Sequence, residues 1–399
     1  MGGEVKKMTA DSIQFNRRSL LAGAAAGLGA MGMGALALRP GAALAAGQTV
    51  TLADIGVGDP GDWSDYTKAT GNKVNVVAIG NGPSAVLNQL LAGGGQQTYD
   101  IINIVGGMQK PLVENKLILP IDVTGLKNWQ GNTYISSYLK PGSKGFDFIG
   151  YDGKVYGVPT VLQGDAFAYL PEKTGGTLDS YAALFDPKFK GYVAIEDNYT
   201  TCGQKTALYM KSAGLAEIKD PADMTPDEIT KVVDFLIQKK KEGQFRVVWS
   251  SFEQAVNLLV NQEVYVLDCW EPMVFAAKAK GVNAVYAAPK EGYLLWAMAA
   301  YLVAGDRSPE KIEASYQLLD YMLSPEYGAV ITNLRGYMTN PGAPAYAAQS
   351  SKFDKATAQK IAEIDAGVKK KFESGGTWQA RWPTNIETYE EQWQRFKAA

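Results

Sequence analysis

One run of residues, 20–38, stands apart in the hydrophobic pattern of this chain: it is almost entirely apolar or small and carries no charge. It ends at Arg39-Pro40, and Ala43-Leu44-Ala45 follows with the small-residue spacing that a signal peptidase reads. A stretch of about 19 such residues is long enough to anchor in a bilayer. Gly, Ala and Met gain little from lipid, however, and the cleavage pattern points to removal near Ala45. Residues 1–45 therefore predict a signal peptide and a protein that works outside the cytoplasm. No later apolar stretch is long enough to span a membrane.

Beyond the leader, short valine- and isoleucine-rich runs alternate with segments of helical period. Residues 50–55 predict a strand, 62–70 a short helix and 73–79 a second strand. Asn81-Gly82-Pro83-Ser84 opens a helix over 85–92, residues 99–105 read as a buried strand, and Gly106-Gly107-Met108 starts another helix. Further on, 156–159 and 167–170 predict two strands, 178–185 a helix and 192–196 a strand. Helices over 201–213 and 225–241, the second with Pro226 in its first turn, precede a Ser250/Ser251-capped helix to Val260 and a strand over 264–269. Strands alternating with helices at these lengths imply an α/β fold, a sheet flanked by helices on both faces. Lys239-Lys240-Lys241 reads as a solvated helix face, and no internal repeat is present.

Composition narrows the chemistry. The leader holds five basic residues (Lys6, Lys7, Arg17, Arg18, Arg39) and two acids (Glu4, Asp11). Removing them from totals of 39 and 41 leaves 34 basic and 39 acidic residues, a net charge of −5. That gives no reason to expect nucleic acid as a partner. The chain has no histidine, which removes Ser-His-Asp and Cys-His nucleophiles, the usual zinc sites and a histidine pH switch. Its two cysteines, Cys202 and Cys269, exclude cysteine-ligated clusters; in an oxidising compartment they read as one disulfide or as two buried thiols. Neither a metal nor a cofactor is expected. Tryptophans at 270, 296, 378 and 382 are residues that build cores and also sandwich small ligands.

Three short motifs need weighing. Gly56-Val57-Gly58-Asp59-Pro60-Gly61 has the spacing of a dinucleotide turn after a strand, but Pro60 lacks the N–H a pyrophosphate would need, and no acid ends the second strand. A structural turn is the expectation. Glu196-Asp197 lies at a strand end, either at a ligand-binding rim or as the cap of the helix that follows. Gly82 and Gly107 place backbone N–H groups at helix starts, positions that suit an anion or a plain tight turn.

Two resemblances add to this reading. Asn16-Arg17-Arg18-Ser19-Leu20-Leu21 resembles a twin-arginine export signal. Segments 186–197, 288–296, 323–327 and 336–341, with Trp378-Gln379, resemble in order the spermidine/putrescine-binding family of ABC-transporter solute-binding proteins. The resemblance implies a type II periplasmic binding fold, two α/β lobes joined by a hinge, with crossings near Pro159-Thr160 and Ala297 and a return near Tyr346. The lobes would be 46–159 with 297–345, and 160–296 with 346–399. By position, Trp270, Trp296 and Tyr337 would belong to an aromatic box for an amine, Asp197 would be a carboxylate partner and Gln379 a polar contact. Cys202 and Cys269 would both lie in the second lobe, where a disulfide would brace the pocket wall.

The departures from the family also matter. Ile55, Gly58, Val105 and Gly107 stand where the family has aromatic or hydroxyl residues, and Thr200 and Met298 stand where it has acids. Glu196, Asp268 or Glu271 could compensate. Otherwise the pocket is less negative, with the helix starts at Gly82 and Gly107 facing it and Arg335 and Arg381 beside Tyr337 and Gln379. The expected function is a monomeric periplasmic solute receptor that delivers a polyamine-like amine to an ABC permease and makes or breaks no bond. The alternative ligand is an anionic amine such as an amino-acid derivative, opine or aminophosphonate. A twin-arginine-exported enzyme is less favoured.

Overall fold

Parallel pairing of valine-rich strands begins the sheet. β1 (Thr49–Asp54) lies between β2 (Lys73–Ala78) and β3 (Ile101–Val105), with Leu52 beside both Val76 and Ile101. The computed structural model describes residues 47–80, 83–91 and 94–399, and its first main helices are α1 (Ser64–Thr70), α2 (Pro83–Leu91), α3 (Gln109–Glu114) and α4 (Thr133–Tyr138). The expected signal peptide and Gly82 lie outside the described residues.

Two long strands carry the sheet across the molecule. β4 (Gly157–Tyr169) is buried at all 13 positions, and it pairs antiparallel with β9 (Tyr293–Leu302), from Leu294 opposite Asp165 to Tyr301 opposite Gly157. Covered on both faces, such strands read as near-continuous apolar runs without alternation. One end of β9 pairs with β3, Met298 to Leu302 against Val105 to Ile101. The far end of β4 pairs with β7 (Val266–Cys269), Ala166 opposite Cys269. β5 (Val193–Glu196) and β6 (Phe245–Trp249) follow in parallel, giving the order β2-β1-β3-β9-β4-β7-β5-β6. β8 (Val285–Tyr286) joins β4, and β10 (Gly376–Trp378) joins β9.

The strand predicted as two pieces, 156–159 and 167–170, is thus one. Its middle contains Gln163, Gly164 and Asp165, which look like a break in sequence but are fully buried. The helix expected over 178–185 is a single 3₁₀ turn at Tyr181–Leu184. The helix predicted from Thr201 opens with a π-turn, Tyr199–Gly203, before α5 (Gln204–Ser212). α6 (Pro226–Lys241) starts as expected: the Thr225 hydroxyl accepts the Glu228 N–H while the Glu228 carboxylate accepts the Thr225 N–H, a reciprocal capping box.

Helices close both halves. α7 (Phe252–Val260) and α8 (Glu271–Ala279) cover one face of the β7-β5-β6 half, and α5 and α6 cover the other. α9 (Pro309–Met322) and α10 (Pro325–Arg335) pack on the β1–β3 half, and α11 (Ala343–Gln349) and α12 (Lys355–Glu373) pack on α10. Val368 and Phe372 of α12 belong to the core that holds Ile104, Leu112 and Tyr301. The chain crosses to the second half only afterwards, through β10 and Thr384, whose N–H donates to Asp223 at 2.7 Å. α13 (Ile386–Ala398) then buries Tyr389, Trp393 and Phe396 against α6. α12, beyond Tyr346, thus still carries apolar positions for the half built on β1–β3.

The glycine turn after β1 is structural, as expected. The Asp54 carboxylate accepts the N–H groups of Gly56 at 2.6 Å and Gly58 at 3.0 Å and the Asn103 side chain at 2.6 Å. The chain's own acid occupies the donors that a phosphate would use. Among the described residues, no helix is long and apolar enough to cross a membrane.

Candidate functional site

The centre of the sheet is where the two halves share strands, and it is unusually polar for a buried place. Gln163 and Asp165 lie two residues apart on β4 and so face the same way; Trp296 is the register partner of Gln163 on β9. Tyr337, just past α10, meets Trp296 edge-to-face with centroids 5.6 Å apart and planes at 75°. From the other half, Glu196 ends β5 and Trp270 follows β7, and the Trp270 indole N–H donates to Glu196 Oε2 at 3.2 Å. Trp249 packs against Trp270 at 5.7 Å and 80°.

Residues after β10 add a third wall. Gln379 donates through its side chain to the Thr200 carbonyl, and Arg381 Nη1 donates to Thr200 Oγ1 at 3.1 Å. Gly107, with φ +90°, lies where a Cβ would stand 3.2 Å from Arg381 Cβ, so the absence of a side chain lets the arginine in. Trp270, Trp296, Tyr337, Thr200, Gln379, Arg381 and Gly107 therefore converge around the shared strands. Gly82 lies outside the described residues.

Asp197 does not join them. Its carboxylate accepts the Trp393 N–H at 2.7 Å and lies 3.9 Å from Lys397, so it faces α13. The preceding residue, Glu196, points inward instead, and Asn198 rather than Asp197 caps the following turn. The disulfide is also corrected: Cys202 and Cys269 are buried free thiols. Cys202 packs in the core under α5 and α6, whereas Cys269 packs with Leu267 in the core under α7 and α8. Side chains on β7 alternate, which directs Cys269 to the opposite face of the sheet from Cys202.

The electrostatics are those of a nearly balanced buried cluster. Lys205 Nζ lies 2.5 Å from Asp268 Oδ1, both side chains without exposed surface, and it also donates to the Ala166 carbonyl at 3.1 Å. Burial alone would lower the Lys205 pKa, but Asp268, Asp165 and Glu196 together raise it. Burial raises Asp165, opposed by Lys205, the Trp296 indole and Arg381. Burial likewise pushes Glu196 up to about 7, with Lys205 opposing and Asp268 adding. Arg381 is lowered by burial and held charged by Glu196 and Asp165.

Several buried polar atoms here lack a partner: Trp296 Nε1, Asp165 Oδ1, Arg335 Nε, Gln379 Oε1 and Arg381 Nε. The Trp296 N–H lies near enough to ease the Asp165 charge, yet neither atom closes a hydrogen bond of normal geometry. Unmet polar groups in a protein interior are costly, so their convergence makes this place the candidate site for a polar ligand. A cleft of about 590 Å³ opens beside it, lined by Gly107, Asp147 and Gln109 from one half and by Asp223, Arg381 and Trp382 across from them. Asp165 and Lys205 were missed in the sequence reading. The detectable signal was two polar residues spaced by two inside an otherwise apolar strand.

Comparison with known proteins decides the family. The model of the bacterial extracellular solute-binding protein family matches residues 63–366. The chain belongs to that family. The spermidine/putrescine-binding periplasmic protein 1 of Haemophilus influenzae is 24% identical over 281 residues, covering 69% of this chain and 70% of that protein. The putrescine/agmatine-binding protein of Pseudomonas aeruginosa is 24% identical over 288 residues, covering 68% and 72%. Among solved structures, the spermidine/putrescine ABC transporter substrate-binding protein PotD of Streptococcus pneumoniae is similar with a TM-score of 0.63. It is 16% identical and covers 88% of this chain and 99% of that one. The fold is thus the two-lobed type II periplasmic binding fold, with β4 and β9 in the middle of the sheet. Solute-binding proteins of this family hold a small solute and work with the permease subunits of an ABC importer.

Proposed function

We propose that this solute-binding protein captures a small amine-bearing solute at the shared strands and hands it to its permease without chemical change. The observation that carries the reading is the meeting of three aromatic side chains, Trp270, Trp296 and Tyr337, with two buried acids, Asp165 and Glu196. Aromatic faces attract ammonium, and a desolvated carboxylate favours a paired cation. The curated relatives, named for spermidine, putrescine and agmatine, are consistent with that chemistry. The lobes are read as 47–161 with 299–375, and 166–292 with 384–399, moving about the crossing strands. Residues 1–45 are read as the cleaved export signal, and the mature protein as a periplasmic monomer.

A second reading has its own support. Arg381 brings a guanidinium with an unpartnered Nε to the same place, and Arg335 has another. An amine that also carries a carboxylate or phosphonate would use both the acids and Arg381.

Thermal-shift screening of putrescine, spermidine and agmatine against amino acids, opines and aminophosphonates tests both readings, since a ligand specific for the native state raises the melting temperature. Amines alone raising it supports the first reading, and anionic amines alone the second. Replacing Trp270 or Trp296 by Ala should weaken the best solute about 3- to 30-fold. Unchanged titrations for both variants would remove the site.

A further inference from the structure

A second ammonium box lies beside this site, and the protein fills it itself. Lys371, near the end of α12, is buried, and its Nζ donates to Glu271 Oε2 at 2.7 Å, Gln163 Oε1 at 2.8 Å and the Gly164 carbonyl at 3.2 Å. Three acceptors match the three N–H donors of an ammonium group. The same nitrogen stands 4.5 Å from the centroid of Tyr286 and 5.4 Å from that of Tyr293. A carboxylate, two carbonyl oxygens and two aromatic faces are the full set of groups that recognise an alkylammonium ion.

The box is built from both lobes. Lys371 comes from α12 of the first, Glu271 from α8 and Tyr286 from β8 of the second, and Gln163, Gly164 and Tyr293 from the shared strands. Gly164 leaves the passage: a Cβ there would stand 3.3 Å from Lys371 Cδ and 3.1 Å from Tyr293 Cβ. The box adjoins the solute site, because Gln163 is opposite Trp296 in the sheet and its amide also reaches Glu271 at 3.3 Å.

We propose that Lys371 is the resident occupant of an ammonium subsite, and that by holding Glu271 it sets the neighbouring site for a solute with one ammonium group. The choice of solute rests on the amine reading above; the existence of the subsite does not. Glu271 is an acid at the edge of the solute site, where its carboxylate accepts from the Gln163 amide. Bound to Lys371, it is withheld from a diamine. Lys205 withholds Asp268 in the same manner, and Arg381 offsets one of Asp165 and Glu196, leaving one carboxylate charge to the solute.

Replacing Lys371 by Ala removes a propylammonium group, so propylamine is the probe that refills the box. Propylamine should raise the melting temperature of Lys371→Ala by several degrees more than that of the wild-type protein, and propanol should raise neither. The excess should vanish in Lys371→Ala combined with Glu271→Gln. Equal shifts in wild type and variant, or none in the variant, would overturn the subsite. Where Lys371→Ala is too unstable to purify, soluble yield on refolding with propylamine or propanol makes the same comparison, and equal yields count against it.

Selectivity is read separately, by titrating putrescine and butylamine into wild type and Lys371→Met. Freeing Glu271 should improve putrescine relative to butylamine by about tenfold or more. An unchanged ratio would overturn the specificity role. Absence of amine binding in the wild type, alongside rescue by propylamine in the variant, would sink the solute reading and keep the box.

Discussion

The indole N–H of Trp270 donates to the Glu196 carboxylate at 3.2 Å, joining an aromatic face and a titrating acid into one recognition unit. Burial pushes Glu196 up to about 7, so the free protein at neutral pH holds this acid only partly ionised. A cation placed beside it favours the charged form. Binding of butylamine near neutrality should therefore release a fraction of a proton and strengthen by about tenfold at most between about pH 6 and pH 8. Calorimetry in two buffers of different ionisation enthalpy measures the release, and Glu196→Gln should abolish both effects. The stability of the free protein should run the other way. The native state holds the proton more tightly than the unfolded chain, so this contribution is complete below the ordinary glutamate value of 4.5 and is lost as pH rises through about 7. A pH-independent affinity for every amine would show that Glu196 does not face the solute.

Lys205 is the counter-ion that lets three acids share one interior. Replacing it by Met leaves Asp268 beside Asp165 and Glu196 with no buried cation at their centre. Breaking one side of such a pair costs about 3–5 kcal/mol, because the partner charge stays buried and uncompensated. Lys205→Met should lower the urea midpoint by a corresponding amount, and Lys205→Met with Asp268→Asn should recover part of the loss. Two single variants whose losses simply add would show that the pair is not coupled.

Much of the first lobe was legible in residue order, because alternating strands and amphipathic helices obey local rules. β1, β2, β3 and α6 need only near neighbours, and they lie within a residue or two of their predicted places. β4 was not legible as one strand. Gln163 and Asp165 break its apolar pattern; Lys371 and Glu271 hydrogen-bond Gln163, and the charges of Lys205 and Arg381 favour Asp165, all from distant parts of the chain. The direction of Glu196 against Asp197 depends on one residue of register, and Trp393, which claims Asp197, lies 196 positions away. Position in the family's order singled out Trp270, Trp296 and Tyr337 as candidates; it could not foresee that Lys371 and Lys205 already occupy two acids.

Gly107 controls the entry of Arg381. Its φ of +90° disfavours any L side chain, and a Cβ would press on Arg381 Cβ at 3.2 Å. Gly107→Ala should cost about 1–2 kcal/mol in stability. It should also displace the guanidinium from Thr200, weakening an anionic amine more than a simple one. Titration of both solute types with the variant checks this; equal losses would mean that Arg381 serves the fold and not the ligand.

The two thiols give a test that is independent of any ligand. Burial pushes both Cys202 and Cys269 well up from the ordinary thiol value, which suppresses the thiolate needed for oxidation and alkylation. Their side chains also face opposite sides of the sheet, so they cannot join without moving β7 or the turn before α5. The exported protein should therefore react with neither iodoacetamide nor Ellman's reagent while folded. In denaturant without reductant it should gain two carbamidomethyl groups by intact mass. A denatured protein that takes up none until it is reduced would establish a disulfide and require a different packing of the second lobe.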